Sequence, residues 1–212
     1  MKDSYDLGYR LHFAYGSNLN VEQVQARCHQ ASVVTVARLA DYKLAFYGHS
    51  KQWDGGEATL MPRPGEDLWG VVYQLSFGDA ETLDSWQDVR LDGTGPYFLY
   101  PTVVADERGN PYPVLLYKKN DVSDLQMPSR EHLDQIITGA QRQGLPPDYL
   151  EKLRRLDARP AGFAVPKKSR FDRSILTDRC GGCDEAEAPL SAGAGGKPAL
   201  TPAQLMAATF YA

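Results

Sequence analysis

Phe13-Ala14-Tyr15-Gly16-Ser17-Asn18 brings together at one turn the groups that can hold an anion. Leu11, Phe13 and Tyr15 alternate as a half-buried strand does, and Gly16 permits a sharp reversal. Asn18-Leu19-Asn20 ahead of Val21-Glu22-Gln23-Val24 then reads as a helix start with a capping Asn. Backbone amides freed by such a turn suit a carboxylate, or the oxyanion that forms when a nucleophile adds to a carbonyl. An ordinary strand-to-helix turn shares this signature, so the rest of the chain must decide between the two. Glu57 is a second chemistry-bearing group. It stands among small residues in Gly55-Gly56-Glu57-Ala58-Thr59, a segment that reads as extended and buried, where a carboxylate needs a partner unless it points outward.

The cysteines carry less. Cys180-Gly181-Gly182-Cys183 has metal or redox spacing, but no second pair and no nearby histidine completes a zinc site, and no strand leads into it as a thioredoxin-type motif requires. Cys28 reads as a small packing residue. Three cysteines, an odd count, argue against a disulfide framework and fit a reducing compartment.

The elements that must position these groups are mostly strands up to about residue 120. Leu11 to Tyr15, Ser32 to Leu39, Tyr42 to Tyr47, Glu57 to Pro62, Asp67 to Leu75 and Tyr97 to Ala105 are rich in Val, Tyr, Phe and Leu, with Val114 to Lys118 as a return strand. Arg63-Pro64-Gly65-Glu66 and Glu107-Arg108-Gly109-Asn110 read as hairpin tips. Helices are expected over Val21 to His29, Asp79 to Trp86, from Ser129 to a stop at Gly144, and over Pro147 to Leu156. This is an α+β pattern, a small mixed curled sheet or barrel flanked by helices.

With 42% hydrophobic residues in 212, residues 1–160 suffice for one domain with a substantial core. Residues 161–212 read as a low-complexity tail, whose apolar Leu205 to Tyr211 would dock on the body or on a second subunit in a homodimer. A net charge of -4 makes nucleic acid an unsuitable partner. No apolar run has membrane-spanning length, and MKDSYDLGYR lacks the apolar stretch of a signal peptide, so a cytoplasmic location is expected.

Several separated segments, in order, resemble the gamma-glutamylcyclotransferase family. Phe13 to Leu19 matches its opening loop, Val36-Ala37-Arg38-Leu39 and Asp41-Tyr42-Lys43-Leu44 its next strand region, and Trp53 to Thr59 its W-x-G-G-x-A-T segment. Trp69-Gly70-Val71-Val72-Tyr73 matches W-G-V-V-[YW], and Leu83 to Val89 sits where the family has L-D-x-x-E-G-V. Pro128-Ser129 onward, through Gly144-Leu145-Pro146-Pro147 to Leu153, matches its C-terminal helical part. The resemblance implies intramolecular aminolysis. The alpha-amine of a gamma-glutamyl compound attacks its own gamma-carbonyl and releases 5-oxoproline, with no cofactor and no metal and with a small molecule as the partner.

Three departures fall where that chemistry would be done. The general-base glutamate of the resemblance corresponds to Gln87, and an amide can orient an amine but cannot take its proton. The tyrosine of the family's P-S-x-x-Y segment corresponds to His132, and the variable, apolar position of W-x-G-G-x-A-T carries Glu57. Glu57 or His132 is therefore the expected replacement for the proton acceptor, with Asp88 a weaker one because it would point away from Gln87 in an extended segment. Two other readings stay open: a same-fold enzyme redirected to another ring-forming or ring-opening reaction in specialised metabolism, or a non-catalytic small-molecule binding protein.

Overall fold

The protein is described here by a computed structural model covering residues 8–90 and 92–167. Cys180, Cys183 and the apolar run from Leu205 to Tyr211 lie outside the described residues. Five strands form a closed barrel: β1 (Tyr9–Ala14), β2 (Ser32–Ser50), β3 (Gly55–Ser76), β4 (Tyr97–Asp106) and β5 (Pro111–Lys119). Around the barrel, β1 neighbours β3, then come β2, β4 and β5. Its ladders are antiparallel except the closing one, where β1 meets β5 in parallel at His12 opposite Leu115. Among the described residues four helices accompany it: α1 (Val21–Gln25), α2 (Phe77–Trp86), α3 (Arg130–Arg142) and α4 (Pro147–Arg154). None is long and apolar enough to cross a membrane.

The α+β barrel agrees with the sequence, but two strand boundaries do not. Ser32 to Leu39 and Tyr42 to Tyr47 are parts of one strand, as are Glu57 to Pro62 and Asp67 to Leu75. Arg63-Pro64-Gly65-Glu66 is consequently no hairpin tip. It bulges out of β3 opposite Asp41, because Ala40 pairs with Asp67 while Tyr42 pairs with Pro62. Asp41 adopts a φ of 63° there, and its Oδ1 accepts a 2.8 Å hydrogen bond from Gly65 N–H. The second expected tip is real. Asp106 gathers Arg108 N–H and Asn110 N–H in the connection between β4 and β5.

Packing follows from the apolar periodicity. Phe13, Leu68, Val72, Leu75 and Leu116 are fully buried in the barrel wall, and Leu133, Ile136 and Ala140 form the inner face of α3. The helix starts are set by side chains: Ser76 Oγ accepts from Asp79 N–H at 3.2 Å ahead of α2, and Ser129 Oγ from His132 N–H at 3.2 Å ahead of α3. Gln143 ends α3, followed by Gly144 at a φ of 71°. Cys28 is packed in the core, where burial pushes its thiol up to about 11.

Candidate active site

The site residues expected from the sequence reach one cavity of about 430 Å³ from four elements. The end of β1 leads into the turn Tyr15 to Asn18, the start of β3 carries Glu57, the C-terminus of α2 carries Gln87, and the first turn of α3 carries His132. All six residues from Phe13 to Asn18 line this cavity together with Glu57, Gln87, Asp88 and His132.

After Gly16 the chain does not enter a long helix. Ser17–Leu19 is a 3-10 turn closed by Leu19 N–H to Gly16 O at 2.9 Å and Asn20 N–H to Ser17 O at 3.1 Å. Asn20 then stands extended (ψ 106°) and caps the five-residue α1 by accepting from Glu22 N–H and Gln23 N–H. The helix start with a capping Asn ahead of Val21 is present, with Asn20 as the cap, while the free amides of the Gly16 turn belong to the 3-10 turn that the extended Asn20 separates from α1. The turn is braced from both sides: Gln23 Nε2 donates to Ser17 Oγ at 3.2 Å and Asn18 Oδ1 at 3.1 Å, and Tyr73 Oη donates to Asn18 O at 3.1 Å. Tyr15 is buried with its hydroxyl donating to Tyr117 O.

Gln87 is half-buried at the C-cap of α2, its N–H donating to Leu83 O at 3.0 Å. Gln87 and Asp88 form the turn that ends α2 rather than an extended segment, which corrects the expectation that Asp88 points away, and Asp88 lines the cavity beside Gln87. Asp88 has a φ of 51°, is exposed, and accepts from Arg90 Nε at 3.0 Å. The helix itself is anchored by a two-pronged ion pair: Arg10 Nη1 and Nη2 each reach an Asp84 oxygen at 2.7 Å, and Tyr117 Oη donates to Asp84 Oδ1 at 2.7 Å.

His132 and Glu57 differ sharply in environment. His132 is 3% exposed, stacked on Trp53 and edge-on to Phe46, and burial lowers its pKa to about 4. It is a neutral imidazole near neutral pH. Glu57 is half-buried, and its Oε2 accepts a hydrogen bond from Lys119 Nζ. The partner that the sequence demanded for this carboxylate is therefore an ammonium group on β5.

Sequence reasoning missed four residues here. His12 and Tyr117 line the cavity with their rings 4.5 Å apart, and burial, then Arg10, bring His12 down to about 3. Tyr97 lines it too, its hydroxyl donating to Ala58 O at 2.9 Å, and Lys119 backs Glu57. Alternation along β1 points His12 outward, yet His12, Phe13 and Ala14 are all buried because β1 is paired on both edges and covered on both faces.

The AIG2-like family model matches residues 67–153. Gamma-glutamylcyclotransferase of Homo sapiens is 34% identical over 151 residues, spanning 69% of this chain and 78% of that protein, and the Mus musculus protein of the same name matches to the same extent. A solved structure described as gamma-glutamyl cyclotransferase superposes with a TM-score of 0.69 at 32% identity, covering 80% of this chain and 98% of the other.

Proposed function

The chain belongs to the gamma-glutamylcyclotransferase family, and from that premise we propose that it converts a gamma-glutamyl amine or peptide into 5-oxoproline and a free amine, with Glu57 in place of Gln87 as the proton acceptor. The observation that carries this reading is the shared cavity, in which the Tyr15 to Asn18 turn, Glu57 and Gln87 face one small-molecule-sized space.

In the reaction, Glu57 takes a proton from the substrate's alpha-ammonium group, and the freed amine attacks the gamma-carbonyl carbon. The carbonyl oxygen becomes an oxyanion held by main-chain N–H groups of the Gly16 to Asn18 turn. The Glu57 carboxyl gives its first proton to the leaving nitrogen as collapse breaks the bond to it. The attacking nitrogen, positively charged after addition, must also lose a proton to become the lactam nitrogen. Glu57 takes this second proton and passes it to the released amine, which departs as an ammonium ion while the carboxylate is restored. The Gln87 amide oxygen accepts from the attacking amine and aims it. His132 is less suited to proton transfer, since burial disfavours its charged form. It serves as an aromatic wall against the substrate.

The test is release of 5-oxoproline from gamma-glutamyl-alanine and from glutathione by the parent protein and by Gln87→Glu. Turnover by the parent supports the reading. A silent parent with an active Gln87→Glu variant points to a cyclotransferase disabled at its base. Silence of both assigns the cavity to another small-molecule reaction or to binding alone.

A further inference from the structure

We propose that Lys119 is a positioning residue for the cavity, pairing with the Glu57 carboxylate and fixing its orientation so that its second oxygen faces substrate. This rests on the reading of Glu57 as proton acceptor. The pair is built into the barrel wall. Lys119 is 7% exposed at the end of β5, and Glu57 stands at the start of β3. Lys119 N–H donates to Thr59 Oγ1 at 3.0 Å, which ties its backbone to the strand that carries Glu57. Its Nζ sits 5.7 Å from the Tyr97 ring centre and donates to Glu57 Oε2.

Room for the pair is made by Gly48 of β2. Its φ is 62°, and a Cβ there would lie 3.0 Å from Lys119 Cε and 3.1 Å from Nζ. A side chain at position 48 would therefore crowd the end of the lysine where it reaches the carboxylate, in a backbone conformation that residues with a Cβ rarely adopt.

Among the described residues, the other ionisable groups around Glu57 do not substitute for Lys119. Tyr47 is the register partner of Glu57 on β2 and carries no positive charge. Tyr15, Tyr97 and His132 line the cavity as neutral rings, the two phenols pushed up and the imidazole pushed down by burial. His49 and Lys51, which follow Gly48 in the chain, and Asp88 after α2 line the cavity but are exposed to water. Lys119 is the buried cation in contact with Glu57. Only Oε2 is engaged by it, so Oε1 is left to meet an ammonium proton. Removing the ammonium strands a half-buried carboxylate whose charged form is then disfavoured.

The experiment follows the side-chain carboxyl carbon of Glu57 by NMR through a pH titration, with its resonance identified by its loss in Glu57→Gln. The parent, Lys119→Met and Lys119→Arg are compared. The expected result is that the Lys119→Met signal titrates about one pH unit or more above the parent, while Lys119→Arg stays close to the parent. Identical titration in the parent and Lys119→Met overturns the proposal. If Lys119→Met does not fold, Lys119→Gln provides the uncharged comparison. Kinetics separate the roles of Lys119 and Glu57. On gamma-glutamyl-alanine, Lys119→Met should lose about tenfold in kcat through misorientation of the carboxylate and keep KM within about twofold, with Lys119→Arg close to the parent. A Glu57→Gln variant as active as the parent removes Glu57 as the base without touching the titration result. An unshifted titration removes Lys119 without restoring activity to Glu57→Gln.

Discussion

The imidazole of His132 lies flat on the indole of Trp53, with ring centroids 4.7 Å apart and planes inclined by 11°. This stack closes one side of the cavity and excludes water from the ring, which is why the charged imidazolium is disfavoured there.

Acid sensitivity follows. His132 and His12 both have folded pKa values below the ordinary 6.5, about 4 and about 3, so between those values and 6.5 the unfolded chain binds protons that the folded chain refuses. Their contribution to stability is full above about pH 6.5 and is lost as pH falls, by about 2 kcal/mol for each histidine at about pH 5. Urea unfolding at about pH 7.5 and about pH 5 measures this, and His132→Phe should remove about half of the difference. A His132→Phe protein with the same pH dependence as the parent would contradict it.

Asp84 ties α2, and with it Gln87, to β1 through Arg10. The two side chains are only 18% and 22% exposed, so Asp84→Ala leaves a guanidinium largely out of water with no counter-ion. A loss of about 2 kcal/mol or more in denaturant unfolding is expected. Asp84→Ala should also raise KM, because the C-terminus of α2 forms part of the cavity wall.

Gly56 lies against the segment leading into α3. A Cβ at this position would stand 2.6 Å from Gln126 O and 2.7 Å from Phe46 Cβ, so Gly56→Ala forces β3 and the Gln126 to Pro128 segment apart. The expected cost is about 3 kcal/mol, read by thermal or urea unfolding, together with displacement of Glu57 on the adjacent residue.

Much of this architecture could be read from residue order alone, for reasons that are local. Ser129 and Gly144 bracket α3 because cap chemistry acts within a few residues, and Leu133, Ile136 and Ala140 mark its inner face because helical spacing is short-range. The continuity of β2 and β3 could not be read this way. Pro64 and Gly65 carry turn chemistry, but the partner that turns it into a bulge, Asp41, is remote in the chain. In the site, Glu57 was visible as a carboxylate in need of a partner, whereas Lys119, 62 residues away, was not, since only closure of the barrel brings β5 beside β3. His12 was hidden for a similar reason, as its face of β1 is covered by Tyr117 of β5, whose ring lies 4.5 Å away.

The most direct test of the account is the rate of 5-oxoproline release from gamma-glutamyl-alanine by folded Glu57→Gln protein beside the parent. The account predicts a fall in kcat of roughly a hundred- to ten-thousandfold with little change in KM, as expected when a positioned proton acceptor is removed. A Glu57→Gln enzyme that keeps the parent's kcat would contradict it.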